Sequence, residues 1–214
     1  MRVVLTLVAM GLISAGCAPA GPRALKLSDE PVTGDGLYLV EQRGPGRLVV
    51  SPELNKVRSQ IRETSGAIVT CEVRLRFAAS ESVSPQKELE QRLCDAVKRN
   101  LVERPRPVTG PGSEAPSRIA TEPGPGVMAV RVYLLDVELD SNGAPRRNSK
   151  PTFALRFNES VEGKPIMRYY EPHRVGGTDP IDAMVTSSFE RLYGLYGRIL
   201  ESDTETPDVA APPR

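Results

Sequence analysis

His173 is the only histidine in this 214-residue chain, so any Ser-His or Cys-His mechanism must run through it. A serine nucleophile of the hydrolase kind sits on a tight elbow between glycines, but no GxSxG occurs, and Ser187-Ser188 fall in a helical stretch without that bracket. Cys71 and Cys94 take core-facing positions, where a thiol is inert. Neither CxxC nor HxxxH occurs, and one histidine among scattered carboxylates falls far short of a metal-ligand set. The run Pro123-Gly124-Pro125-Gly126 lacks the lysine of a phosphate-binding loop and feeds a strand rather than a helix, so it reads as a turn. The expectation is a protein that is not an enzyme, with no cofactor and no metal, in which His173 is a loop residue ahead of a bend at Gly176-Gly177.

The third cysteine carries different chemistry. Arg2 is followed by an apolar run from Val3 to Ala15, and Ser14, Ala15 and Gly16 stand directly before Cys17. This is a secretory signal layout, too short to span a bilayer, which takes about 20 residues. It resembles a bacterial lipoprotein signal with its lipobox, although Ser14 occupies the place three before the cysteine where leucine is usual, with Ile13 one step earlier. That resemblance implies removal of residues 1–16, acylation of Cys17 and stable membrane attachment through several chains. With Ala18 next, it further implies an outer-membrane lipoprotein facing the periplasm. Losing residues 1–16 removes Arg2 and no acid, which leaves 28 − 1 = 27 basic residues against 27 acidic ones. A net charge of zero provides no basic footprint for nucleic acid. Once Cys17 is acylated, Cys71 and Cys94 remain as an even pair in an oxidising compartment, either as a disulfide or as two buried thiols.

Residues 17–36 are polar, rich in Pro and Gly and without period, and read as lipid anchor plus flexible tether. A single domain follows over 37–201. Leu37–Val40 and Arg47–Val50 are short apolar runs, expected as edge strands or an irregular lead-in. Ser51-Pro52-Glu53 signals the start of a short helix ending near Arg62. Val69, Cys71, Val73, Leu75 and Phe77 alternate with polar residues, the period of a strand with one dry and one wet face. Leu89, Leu93, Ala96, Val97 and Leu101 recur at helical spacing after Ser84-Pro85. The Pro-rich segment at about 104–117 is expected to be a disordered insertion, and 202–214 a disordered tail.

Met128, Val130, Val132 and Leu134 predict a central strand with Arg131 and Tyr133 outward. Phe153, Leu155 and Phe157 predict another, and Glu162-Gly163 a turn into a third over Ile166–Glu171. Asp179-Pro180 opens a last helix, with Val185, Phe189, Leu192, Tyr193, Tyr196 and Leu200 as its apolar stripe. The fold class expected is α+β, a mixed sheet of three to five strands with two long helices on one face, in the order β-α-β-β-β-α.

The PGPGV turn, Val130, Val132 and Asp136, the hairpin ending in RYY, Gly176-Gly177 and the closing amphipathic helix together resemble an uncharacterised family of bacterial lipoproteins, a domain of unknown function. The element order is also similar to the periplasmic α/β domains of the curli secretion lipoprotein and of the amino-terminal part of the Tol propeller protein. These resemblances imply a non-catalytic domain that docks other envelope proteins, and they supply no catalytic residues. On the wet sheet face, Glu72, Arg74, Arg76, Arg131, Tyr133 and Arg156 are the candidate docking residues, since Arg with Tyr is the mixture enriched at protein interfaces. The alternative role is a periplasmic small-molecule binding module, with its cleft near Tyr169, Tyr170, His173 and Arg174. Nothing in the sequence specifies an oligomeric state.

Overall fold

The computed structural model describes residues 25–40, 44–77, 83–103, 118–176 and 180–201. The signal, Cys17, the insertion at 104–117, Gly177, Asp179 and the tail at 202–214 lie outside them. In chain order the elements are β1 (Leu27–Pro31), β2 (Tyr38–Val40), β3 (Arg47–Val50), α1 (Leu54–Glu63), β4 (Gly66–Leu75), α2 (Val83–Glu103), β5 (Arg118–Ile119), β6 (Val127–Val137), β7 (Thr152–Glu159), β8 (Pro165–Pro172) and α3 (Pro180–Glu201). All eight strands join one sheet in the order β1-β2-β3-β8-β7-β6-β4-β5. The β4/β6 and β4/β5 pairs are parallel and the others antiparallel. A parallel pair needs a long crossover, and α2 supplies it between β4 and β6.

Eight strands and three helices overturn the expected three- to five-stranded sheet with two long helices. The tether boundary also moves. Residues 27–31, assigned to the flexible segment, pair with β2, and Leu37 is buried. A Thr33 side chain bonded to the Leu37 amide and a Gly36 φ of +77° close the turn between them. The extra strands arise because β3 hydrogen-bonds to β8, far away in sequence, and so extends the sheet beyond the hairpin instead of ending it.

The helices cover one face only. Val57 and Ile61 of α1, Leu93 and Val97 of α2, and Val185, Phe189 and Leu192 of α3 meet Val130, Val132, Leu155 and Met167 of the sheet in one apolar cluster. Cys71 of β4 and Cys94 of α2 form a disulfide with their Cα atoms 5.7 Å apart, which fastens the crossover helix to its strand. Phe77, expected on the dry face, is 74% exposed. The β4–β6 register shifts between Val73 and Leu75, and β4 ends at Leu75, before Phe77. Opposite that shift Asp136 takes φ +58°, a left-handed conformation that a short polar side chain tolerates. Among the described residues no helix is long and apolar enough to cross a membrane.

Candidate interaction face

Period-two alternation on neighbouring strands in register lines up side chains across the uncovered face. Thr70, Arg131, Arg156 and Arg168 are successive partners on β4, β6, β7 and β8. The next row is Glu72, Tyr133, Ala154, Tyr170 and Arg47. Three arginines therefore stand side by side on three adjacent strands, a juxtaposition that on its own weakens strand pairing.

Their surroundings differ. Arg168 forms an ion pair with Asp35 in the β1–β2 turn. Arg156 lies over the Tyr133 ring, 4.8 Å from its centroid, and its buried Nε has no acceptor among the described residues. Arg131 is exposed and makes no ion pair there. In the neighbouring row Arg74 binds Glu72 through Nε at 2.6 Å and reaches Tyr133 from 5.7 Å. Tyr133 points outward as expected but is not free to anchor a partner. Clasped between two guanidinium groups, it is 9% exposed and serves as their support. Arg76 does not belong to the rows; it lies past the end of β4, bonded to Glu138 at 2.8 Å.

The residues expected to line a ligand cleft are divided by the same alternation. Tyr170 lies on the open face, whereas Tyr169 is fully buried beneath the helices and Arg174 is exposed. Tyr169 instead enters a buried polar network. Its hydroxyl donates to Glu171 Oε2 at 2.7 Å, Ser188 Oγ donates to the same oxygen at 2.8 Å, and Arg191 pairs with Oε1. His173 Nε2 lies 2.8 Å from Ser188 Oγ. Because that hydroxyl's proton is already given to Glu171, its lone pair must accept from His173, which assigns the proton to Nε2. Burial pushes the His173 imidazole down to about 4 and the Tyr169 phenol up to about 12. The serine stands between histidine and carboxylate, a different order from a catalytic triad, and Ser188 is fully buried. The network locks β8 to α3.

No protein-family model and no curated protein matches this chain. Among solved structures, a variant PelC dodecamer from Paraburkholderia phytofirmans is similar at 10% identity over 73% of this chain and 98% of that one, with a TM-score of 0.38. An uncharacterised protein is similar at 14% identity over 63% and 92%, TM-score 0.34. A putative neuraminyllactose-binding hemagglutinin homolog from Helicobacter pylori is similar at 12% identity over 64% and 84%, TM-score 0.22. Values at this level assign neither a family nor a function.

Arg168 and the Glu171 network were absent from the sequence-based expectations, although one signal for them is present. Met167, Tyr169 and Glu171 alternate with Arg168 and Tyr170. A glutamate in the dry register of a strand demands buried partners. A cleft of about 200 Å3 between α1 and the β7–β8 hairpin, lined by Gln60, Glu63, Glu159 and Ser160 among others, is smaller than the roughly 300 to 1,000 Å3 of small-molecule sites.

Proposed function

We propose that this chain is a lipid-anchored envelope protein, held through Cys17 on the outer membrane and facing the periplasm, whose domain is a non-catalytic docking module for other envelope proteins. The observation that carries the docking role is the bare sheet face. Three helices bury one side of the sheet, while the other, which no described helix covers, presents rows of arginine and tyrosine that the β1–β2 turn reaches at Arg168 through Asp35. The Cys71–Cys94 disulfide agrees with an oxidising compartment, and the run from Arg2 to Cys17 supports the anchor.

Two measurements test this. Metabolic labelling with a palmitate analogue is expected to mark the protein and to fail in Cys17→Ala. A photo-crosslinking residue in place of Thr70, exposed at the edge of the arginine row, is expected to trap a discrete envelope protein in intact cells. A face that yields no adduct under conditions where a control position on a known envelope complex does would end the docking reading.

A further inference from the structure

Docking through the bare face leaves the partner's chemistry open. Resting on that docking role, we propose that the face receives carboxylates of a partner protein, with Arg131 and Arg156 as the pair that binds them. The two residues are directly opposed on β6 and β7, and Arg168 continues the row on β8. Directly opposed side chains on adjacent antiparallel strands have Cβ atoms about 4.5 to 5.5 Å apart. Like charges at that distance disfavour the sheet, and nothing within the described domain neutralises the first two. Asp35 answers Arg168 and Glu72 answers Arg74, but no acid answers Arg131 or Arg156.

Arg156 is also prepared for a ligand. Its guanidinium carbon lies 4.8 Å from the centroid of the Tyr133 ring, which restrains the group, and with Nε closed to water the terminal nitrogens are the ones a carboxylate can reach. A planar fork held in place pairs bidentately with carboxylate at little further cost in side-chain freedom. Glutamates three or four apart on a helix have Cβ atoms about 5 to 6 Å apart and match the opposed pair.

A lipid surface is the competing occupant of a basic face, and two features favour protein. Every cation in the rows is arginine and none is lysine. Exposed large apolar side chains, which would enter a bilayer, are absent from these rows; among the described residues they are Val32, Phe77, Val102, Ile119 and Val161.

The test uses the full acylated chain in nanodiscs of neutral lipid. The probes are a labelled alanine-based helical peptide with two Glu pairs at i, i+4, its Glu→Gln twin, and glycerophosphoglycerol, the headgroup of an anionic phospholipid. The Glu peptide is expected to bind, to weaken as salt rises, and to lose at least about tenfold in affinity in Arg131→Gln/Arg156→Gln. The twin and the headgroup are expected not to bind. Arg131→Gln alone is expected to leave Tm unchanged or raise it, because it removes a like-charge contact; a clear fall would show that this side chain stabilises the sheet instead. No peptide binding, equal binding by the double variant, or arginine-dependent binding of the headgroup without the peptide overturns the proposal, the last assigning the face to membrane. The Thr70 crosslink separates this from the docking reading. Loss of the adduct in the double variant supports carboxylate recognition, whereas an adduct that survives keeps the docking and removes the arginines from it.

Discussion

Replacing Glu171 with leucine tests whether the buried network is held by its carboxylate. Glu171, Tyr169 and Ser188 are all fully buried, and two hydroxyls donate to one oxygen of the carboxylate. Removing that acceptor leaves two donors sealed from water, at about 1 to 3 kcal/mol each. Arg191 is 46% exposed and recovers hydration, so its charge adds little. The sum, about 2 to 6 kcal/mol, is a large share of the ~5 to 15 kcal/mol that holds a domain together. Urea unfolding followed by circular dichroism, extrapolated linearly to water, measures it. The sharper comparison is with the triple variant Glu171→Leu/Tyr169→Phe/Ser188→Ala, which removes both hydroxyl donors along with the acceptor and leaves only His173, at the partly exposed end of the network, without its partner. Since unmet partners rather than missing bonds dominate the cost, the triple variant should regain most of the lost stability. A triple variant no more stable than Glu171→Leu alone would refute this reasoning and make the carboxylate's Coulombic role, or simple packing, the source of the loss.

His173 makes stability depend on pH. Its folded value near 4 lies below the ordinary 6.5, so between these values the unfolded chain binds the proton and the folded one does not. The contribution is complete above about pH 6.5, lost as pH falls through that window, and at most roughly 3 kcal/mol. Titrating the urea midpoint from pH 7.5 to 4 in wild type and His173→Gln should show a flatter profile in the variant. Cys71→Ala/Cys94→Ala should lose roughly 3 kcal/mol for a loop with a sequence separation of 23, read as a lower Tm that reducing agent no longer affects. Gly46→Ala should cost about 1 to 3 kcal/mol by overpacking, because a Cβ there would lie 2.8 Å from ring carbons of Tyr169, which is buried and tied to Glu171; urea unfolding again measures it.

The elements visible in the sequence are those that alternate or repeat over many residues. Val130, Val132 and Leu134, or Leu89, Leu93 and Val97, show which side is dry because their neighbours are polar. β1 has no such pattern: in Leu27–Pro31 one residue is aliphatic, and the strand exists because β2 offers it partners. β5 is two residues long, too short for any period, and is defined by Arg118 and Ala120 amides bonded to the Ser65 and Ala67 carbonyls. The pairing of Leu48 with Tyr169 joins distant segments, and no local composition encodes it. Within the site, alternation placed Arg131 and Arg156 on the wet face, but the opposition of one to the other depends on register between strands, which is fixed by packing. Tyr169 and Tyr170 were expected to line one cleft because adjacency in sequence resembles adjacency in space, whereas a strand sends neighbours to opposite sides.

The borders of the sheet limit how the molecule can meet others. One outermost strand is β1, whose exposed end carries Asp29, Glu30 and Pro31; at the other border β5 covers only the start of β4, and beyond it Glu90 and Gln86 of α2 bond the Val73 amide and carbonyl. Free backbone donors and acceptors along an edge invite a foreign strand, and acids, proline and side chains bonded to the edge backbone each discourage it. Growth of the sheet by strand addition, and with it fibre formation through stacked copies, is therefore resisted at both ends. Many such molecules can stand side by side without their sheets merging, and contact between them is left to side chains rather than to main chain.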